Sequence, residues 1–181
     1  MISKIFSLRK KRKIRITLTL SFLGIFSPYI FHIFGSVGQI FLPIHVFVMI
    51  GAYILSPIYA LTIAVIIPII SSFLTGMPII YPILPILIVE LMTYALAIVV
   101  LKKRGLYLSL IVALISGRVA ATVTVLLLRE SMGLAMHPMR YIESSLITGL
   151  PGIIFQVIII PIIVTLINNH SSPWSDLHES N

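Results

Sequence analysis

Long apolar runs alternate along the chain with short stretches rich in polar or helix-breaking residues. Residues 16–34, 84–101, 106–128 and 150–168 are each almost continuously apolar. A helix crossing the hydrocarbon core needs about 20 such residues, fewer where protein shields it, so each run predicts one transmembrane helix. Residues 43–74 are equally apolar but too long for a single helix, and Ser56-Pro57 interrupts them. Proline disfavours helical backbone in the preceding residue and lacks an amide donor, which predicts a tight turn between two shorter helices. The expected total is six. A basic start before an apolar run also suits a signal peptide, but 16–34 exceeds a signal core and no small-x-small cleavage site follows.

The charges fit an even helix count. Seven of the thirteen Lys and Arg residues lie within the first fifteen positions, and Lys102-Lys103-Arg104 adds three between the fourth and fifth runs. The intervening segments 35–43 and 75–83 carry no charge, and in 129–143 the pairs Arg129/Glu130 and Arg140/Glu143 cancel. Cations concentrate in cytoplasmic loops, so six helices place both termini in the cytoplasm and leave a neutral outside. The chain divides into a basic cytoplasmic segment (1–15), a six-helix domain (16–168) and a hydrophilic cytoplasmic tail (169–181). The expected location is the plasma membrane, crossed several times.

Composition narrows the class. The chain has 181 residues, 59% hydrophobic and only 10% charged, with mean hydropathy +1.13. Soluble domains carry about 25% charged residues, so soluble, disordered and fibrous classes are excluded. A formal charge of +8 could suit nucleic acid, but the cations flank apolar runs as topological anchors and no nucleic-acid partner is expected. There is no cysteine, which removes disulfides and thiolate chemistry.

Catalytic signatures are missing. No GxGxxG, GxxxxGK[ST], GxSxG or HExxH occurs, so no enzyme activity, cofactor or metal is expected, and no phosphate loop can hold ATP. Two charges fall inside predicted helices. Glu90 sits about 12 Å and Arg118 about 15 Å below the outer surface, at about 1.5 Å per residue, on consecutive antiparallel helices. Buried charges of this kind face a partner or a polar cavity. They can form a locking ion pair, contact a ligand, or do both. His45 opens the second helix, Tyr81 lies in the second outer loop, Tyr94 shares a helical face with Glu90, and Gln156 follows the Pro151-Gly152 break. Together these groups can line one outward-facing cavity of few polar groups on apolar walls. Breakers cluster in the outer connections, at Gly35, Gly38, Gly76, Pro78, Pro82, Pro138, Pro151 and Gly152, which also points the site outward.

The block Phe41–Tyr94 adds a resemblance. LPIH at 42–45, SSFLTGMPIIYP at 71–82 and VELMTY at 89–94, with SGRVA at 116–120 and ITGLPGIIFQVIIIP at 147–161, resemble the substrate-binding S components of energy-coupling factor (ECF) transporters, across most of residues 20–168. The resemblance implies a six-helix subunit that captures a vitamin-like molecule and docks on a membrane T component driven by two cytoplasmic ATPases. Members commonly pack against the T component through an Ala-x-x-x-Ala pair on the first helix; here the nearest small pair is Thr17 and Ser21. An Arg–Glu pair, one His and few aromatics suit a flexible, carboxylate-bearing vitamin such as pantothenate, with a cobalamin-like or other micronutrient left open. The alternative is an autonomous secondary transporter or channel-like protein, which predicts internal repeats or several membrane-embedded acids; no clear repeat is present and Glu90 stands alone.

Overall fold

Backbone amides and carbonyls in an apolar setting must be satisfied within the segment that carries them, and a helix does this locally. The structure, a computed structural model, describes residues 2–32 and 43–170. These form six helices: α1 (Ile2–His32), α2 (Pro43–Ile54), α3 (Pro57–Thr75), α4 (Ile83–Leu101), α5 (Leu106–Met132) and α6 (Pro138–His170). Four segments, Pro57–Thr75, Ile83–Leu101, Leu106–Met132 and Pro138–Ile167, are long and apolar enough to cross a membrane. This is an all-helical membrane protein.

The turn at Ser56-Pro57 forms where expected. Pro57 opens α3 after an extended Ser56, a position where its missing amide costs no helical hydrogen bond. Gly76 ends α3 in the left-handed region (φ 73°), its amide donating to Ser72 O.

The segment 129–143, expected as a loop, is mostly helix. α5 continues to Met132 and ends on left-handed Gly133 (φ 67°), and α6 starts at Pro138, twelve residues before the expected 150. Arg, Glu, Met and Ser are tolerated or favoured in helices, and Pro138 occupies the first helical position. Arg129 and Glu130 thus fall in the last turn of α5 and Arg140 and Glu143 in the first two turns of α6, and the connection is confined to 133–137. Pro151-Gly152 is no break either, since α6 passes through Pro151 and Pro161. The basic segment 1–15 is, from Ile2 onward, part of α1. The expected loop 35–43 and tail 169–181 fall largely outside the described residues.

Side-chain register gives the topology. The small residue Gly51 of α2 lies against Leu20 and Ile63, and Gly24 of α1 lies against Phe47 and Ile67. Positions on α1 and α2 thus run in opposite senses, while α1 and α3 run together. Ser71 extends the same register, its hydroxyl donating to Ile25 O at 2.9 Å. At the end that bears the N terminus of α1, Lys102 Nζ donates to Ala52 O, Tyr53 O and Leu55 O at 2.9, 3.1 and 3.2 Å. Tyr53 OH donates to Leu106 O at 2.8 Å. The α2–α3 and α4–α5 turns are thereby tied together. The apolar core between the helices includes Met49, Ile63, Ile67, Leu91, Ile98, Leu110 and Ile160.

Candidate functional site

At the opposite end of the bundle, four polar side chains meet in the apolar interior. Glu90, two turns into α4, is 2% exposed. A carboxylate taken out of water requires compensating partners, and α4 supplies the first itself. Tyr94, one helical turn further on, donates its hydroxyl to Glu90 Oε1 at 2.6 Å. The second comes from α5: Arg118 Nη1 lies 3.0 Å from the same oxygen. The antiparallel α4 and α5 bring these groups to one depth, and Gly117 makes the approach possible. A Cβ at that position would sit inside the Tyr94 ring.

His45 completes the cluster from the first turn of α2. It is 3% exposed, with its ring tilted against Tyr94 at a centroid distance of 5.5 Å. Its Nε2 is 3.7 Å from Glu90 Oε2, too long for a hydrogen bond. Both ring nitrogens of His45 and Nε of Arg118 are buried without a hydrogen-bond partner. Leaving such groups unpaired is costly, and all three belong to residues lining one cavity of about 370 Å³.

The cavity wall is built by four helices. His45 comes from α2; Ile83, Ile86, Leu87 and Glu90 from α4; Arg118 from α5; and Tyr141, Ser144, Ser145, Thr148 and Gly149 from α6. The α6 residues escape a sequence reading because their segment carries Glu143 and Arg140 and reads as a loop. Their spacing of three and four, 141–144–145–148–149, is the signal that was present. Ser145 Oγ donates to Ile142 O at 3.0 Å, so its lone pairs are left to accept.

The structure thus brings His45, Glu90, Tyr94 and Arg118 together, with Tyr94 behind the ion pair rather than on the cavity wall. Tyr81 is 45% exposed in the turn before α4 and does not line the cavity. Gln156 is fully buried on α6, with neither Oε1 nor Nε2 hydrogen-bonded. It lies seven residues, about 10 Å, beyond Gly149 on the same helical face. Thr17 and Ser21 sit elsewhere: they line an open, mostly apolar groove of about 670 Å³ between α1 and α3, with Thr62, Ile63, Ile66 and Ile70.

Chemically, the cavity offers fixed donors, hydroxyl acceptors and one ion pair on Ile and Leu walls. Among the described residues, no three His, Asp or Glu side chains gather in a metal-holding group. The chain matches no protein-family model, no curated protein and no solved structure.

Proposed function

We propose that this protein is the substrate-binding S component of an ECF-type importer, a plasma-membrane subunit that captures a small water-soluble micronutrient outside the cell. The observation that carries the reading is the cavity of about 370 Å³ lined by His45, Glu90 and Arg118, with buried nitrogens of His45 and Arg118 beside it that have no hydrogen-bond partner. Apolar walls with a few convergent polar groups are how small-molecule sites are built. A ligand with both acceptors and donors would satisfy them.

In this reading the chain crosses the membrane six times and both termini are cytoplasmic, with the twelve-residue α2 itself covering about half of the hydrocarbon layer. The cavity then faces outward, because it lies at the bundle end away from Lys102-Lys103-Arg104 and the basic start of α1. His45 is nine residues above Ile54, about 14 Å, roughly half of a hydrocarbon layer about 30 Å thick. That depth suits a pocket closed from below. With no nucleotide-binding loop, import depends on a T component and two ATPases, and the α1–α3 groove holding Thr17 and Ser21 is the docking face.

The test has two arms. Protein purified in mild detergent is denatured and the released small molecule identified by mass spectrometry; uptake of that molecule is then measured in cells with and without the T component and ATPases. Binding without the partners, and accumulation only with them, is expected. Accumulation against a gradient without the partners would overturn the proposal in favour of an autonomous secondary transporter.

A further inference from the structure

Six cations, Arg9, Lys10, Lys11, Arg12, Lys13 and Arg15, immediately precede the apolar part of α1, and one uninterrupted helix carries both. At about 1.5 Å per residue the six positions occupy about 9 Å of helix. That is close to the polar headgroup layer on one face of a bilayer, which is roughly 5–8 Å thick from the total and hydrocarbon thicknesses. At about 100° per residue the six positions step round the whole helix, with no sector wider than about 100° left without a cation. They form a collar, not a stripe.

Among the described residues nothing neutralises the collar. α1 contains no Asp or Glu, and Lys11, Lys13 and Arg15 are exposed with no ion pair among the described residues. Among the described side chains, the packing of α1 on α2 and α3 begins around Ile16 and Leu20. At the same end of the bundle Lys103 and Arg104 are also exposed.

A flat partner, such as an acidic protein face or a nucleic-acid groove, would engage one side of such a helix and leave the rest idle. Lipid headgroups can surround it. Clusters of four to eight Lys or Arg beside a transmembrane helix attract anionic lipid, and here the depth and the all-round distribution match that ligand. We infer that residues 9–15 of α1 form a binding collar for anionic phospholipid headgroups, recognised through their phosphates. This site is independent of the cavity and of the transport reading.

The test uses the full chain, purified and reconstituted in phosphatidylcholine vesicles, with spin-labelled phosphatidylglycerol or phosphatidylcholine as probe. The motionally restricted fraction of each lipid gives their relative association with the protein. Wild type should prefer phosphatidylglycerol by about threefold at low salt, taking each headgroup-level cation to contribute modestly, and the preference should fall as salt shortens the Debye length. Replacing all six cations by Gln should bring the ratio near one, and replacing only Arg9, Lys10 and Lys11 should roughly halve the preference, a milder change that keeps the helix anchored. Lys10→Arg with Lys11→Arg and Lys13→Arg should keep it. A Lys103→Gln/Arg104→Gln control should lose less than the half-collar variant. An unchanged preference in the Gln variants, as expected if the collar serves an acidic protein or nucleic acid, would overturn the inference, as would a wild-type ratio near one.

Discussion

Gly117 and Tyr94 occupy one another's space: the Tyr94 ring lies where a side chain at position 117 would be. This seats the ring between α4 and α5, with its hydroxyl on Glu90 Oε1 at 2.6 Å. Gly117→Ala should therefore destabilise the protein by about 1–3 kcal/mol, the usual cost of overpacking a tight interior. Thermal unfolding in detergent measures this. In a Tyr94→Ala background the same substitution should cost little, because residues in direct contact are coupled; an undiminished cost would separate the two positions.

Arg118→Ala leaves the Glu90 carboxylate buried with the Tyr94 hydroxyl as its hydrogen-bond partner and His45 3.7 Å away. The expected loss is about 3–5 kcal/mol, typical of removing one partner of a buried pair. Glu90→Gln should be milder for folding yet weaken binding of the copurifying molecule. Wild-type affinity in Glu90→Gln, measured by isothermal titration, would confine Glu90 to a structural role.

Lys102 holds the end of α2 through three carbonyls. Lys102→Met frees all three and should cost about 1–3 kcal/mol. Burial lowers the Lys102 pKa below its ordinary 10.5, so between the lowered value and 10.5 the unfolded chain binds more protons than the folded one. Stability then rises with pH across that window as the cost of burying the charged amine is relieved. The difference between wild type and Lys102→Met in denaturant midpoint, followed from pH 8 to pH 10.5, isolates this contribution; a wild-type curve that falls relative to the variant would contradict it.

Single cysteines report the topology directly, since the chain has none of its own. Ile80→Cys and Ser131→Cys, both at exposed positions, should react with an impermeant maleimide in intact cells, whereas Lys103→Cys should react only after lysis. Labelling of Lys103→Cys in intact cells would invert the bundle.

Thr17→Trp with Ser21→Trp fills the groove between α1 and α3 far from the cavity. Small residues allow close helix approach, and bulk removes it. Uptake should fall at least tenfold while affinity for the copurifying molecule changes less than twofold, the two being measured on the same preparation. Equal loss of both would place the pair in folding rather than docking.

Much of the bundle is legible in the sequence because apolar length and breaker position are strong physical signals. The α4 range 83–101 against an expected 84–101, and the turn at Ser56-Pro57, follow from them directly. The stretch 129–143 was not legible, because charge reports exposure to water and says nothing against helix. Arg129, Glu130, Arg140 and Glu143 are helical residues, and their charge conceals the helical spacing of Tyr141, Ser144, Ser145 and Thr148. Glu90 and Arg118 were legible as expensive charges at matching depth. Tyr81 was misleading because proximity in a loop does not fix direction, and the pairing of Tyr94 with Gly117 needed the close approach of two helices that no spacing rule supplies.

The ion pair also bears on the membrane potential. A potential of about 100 mV does about 2.3 kcal/mol of work on each elementary charge carried fully across it, but Arg118 and Glu90 sit 3.0 Å apart and carry equal and opposite formal charge. A rearrangement that moves the two together along the membrane normal therefore draws no electrical work from the field through them. The voltage dependence of such a step would come from the charge of the bound molecule, so energised and de-energised membranes would differ for a charged ligand and agree for a neutral one.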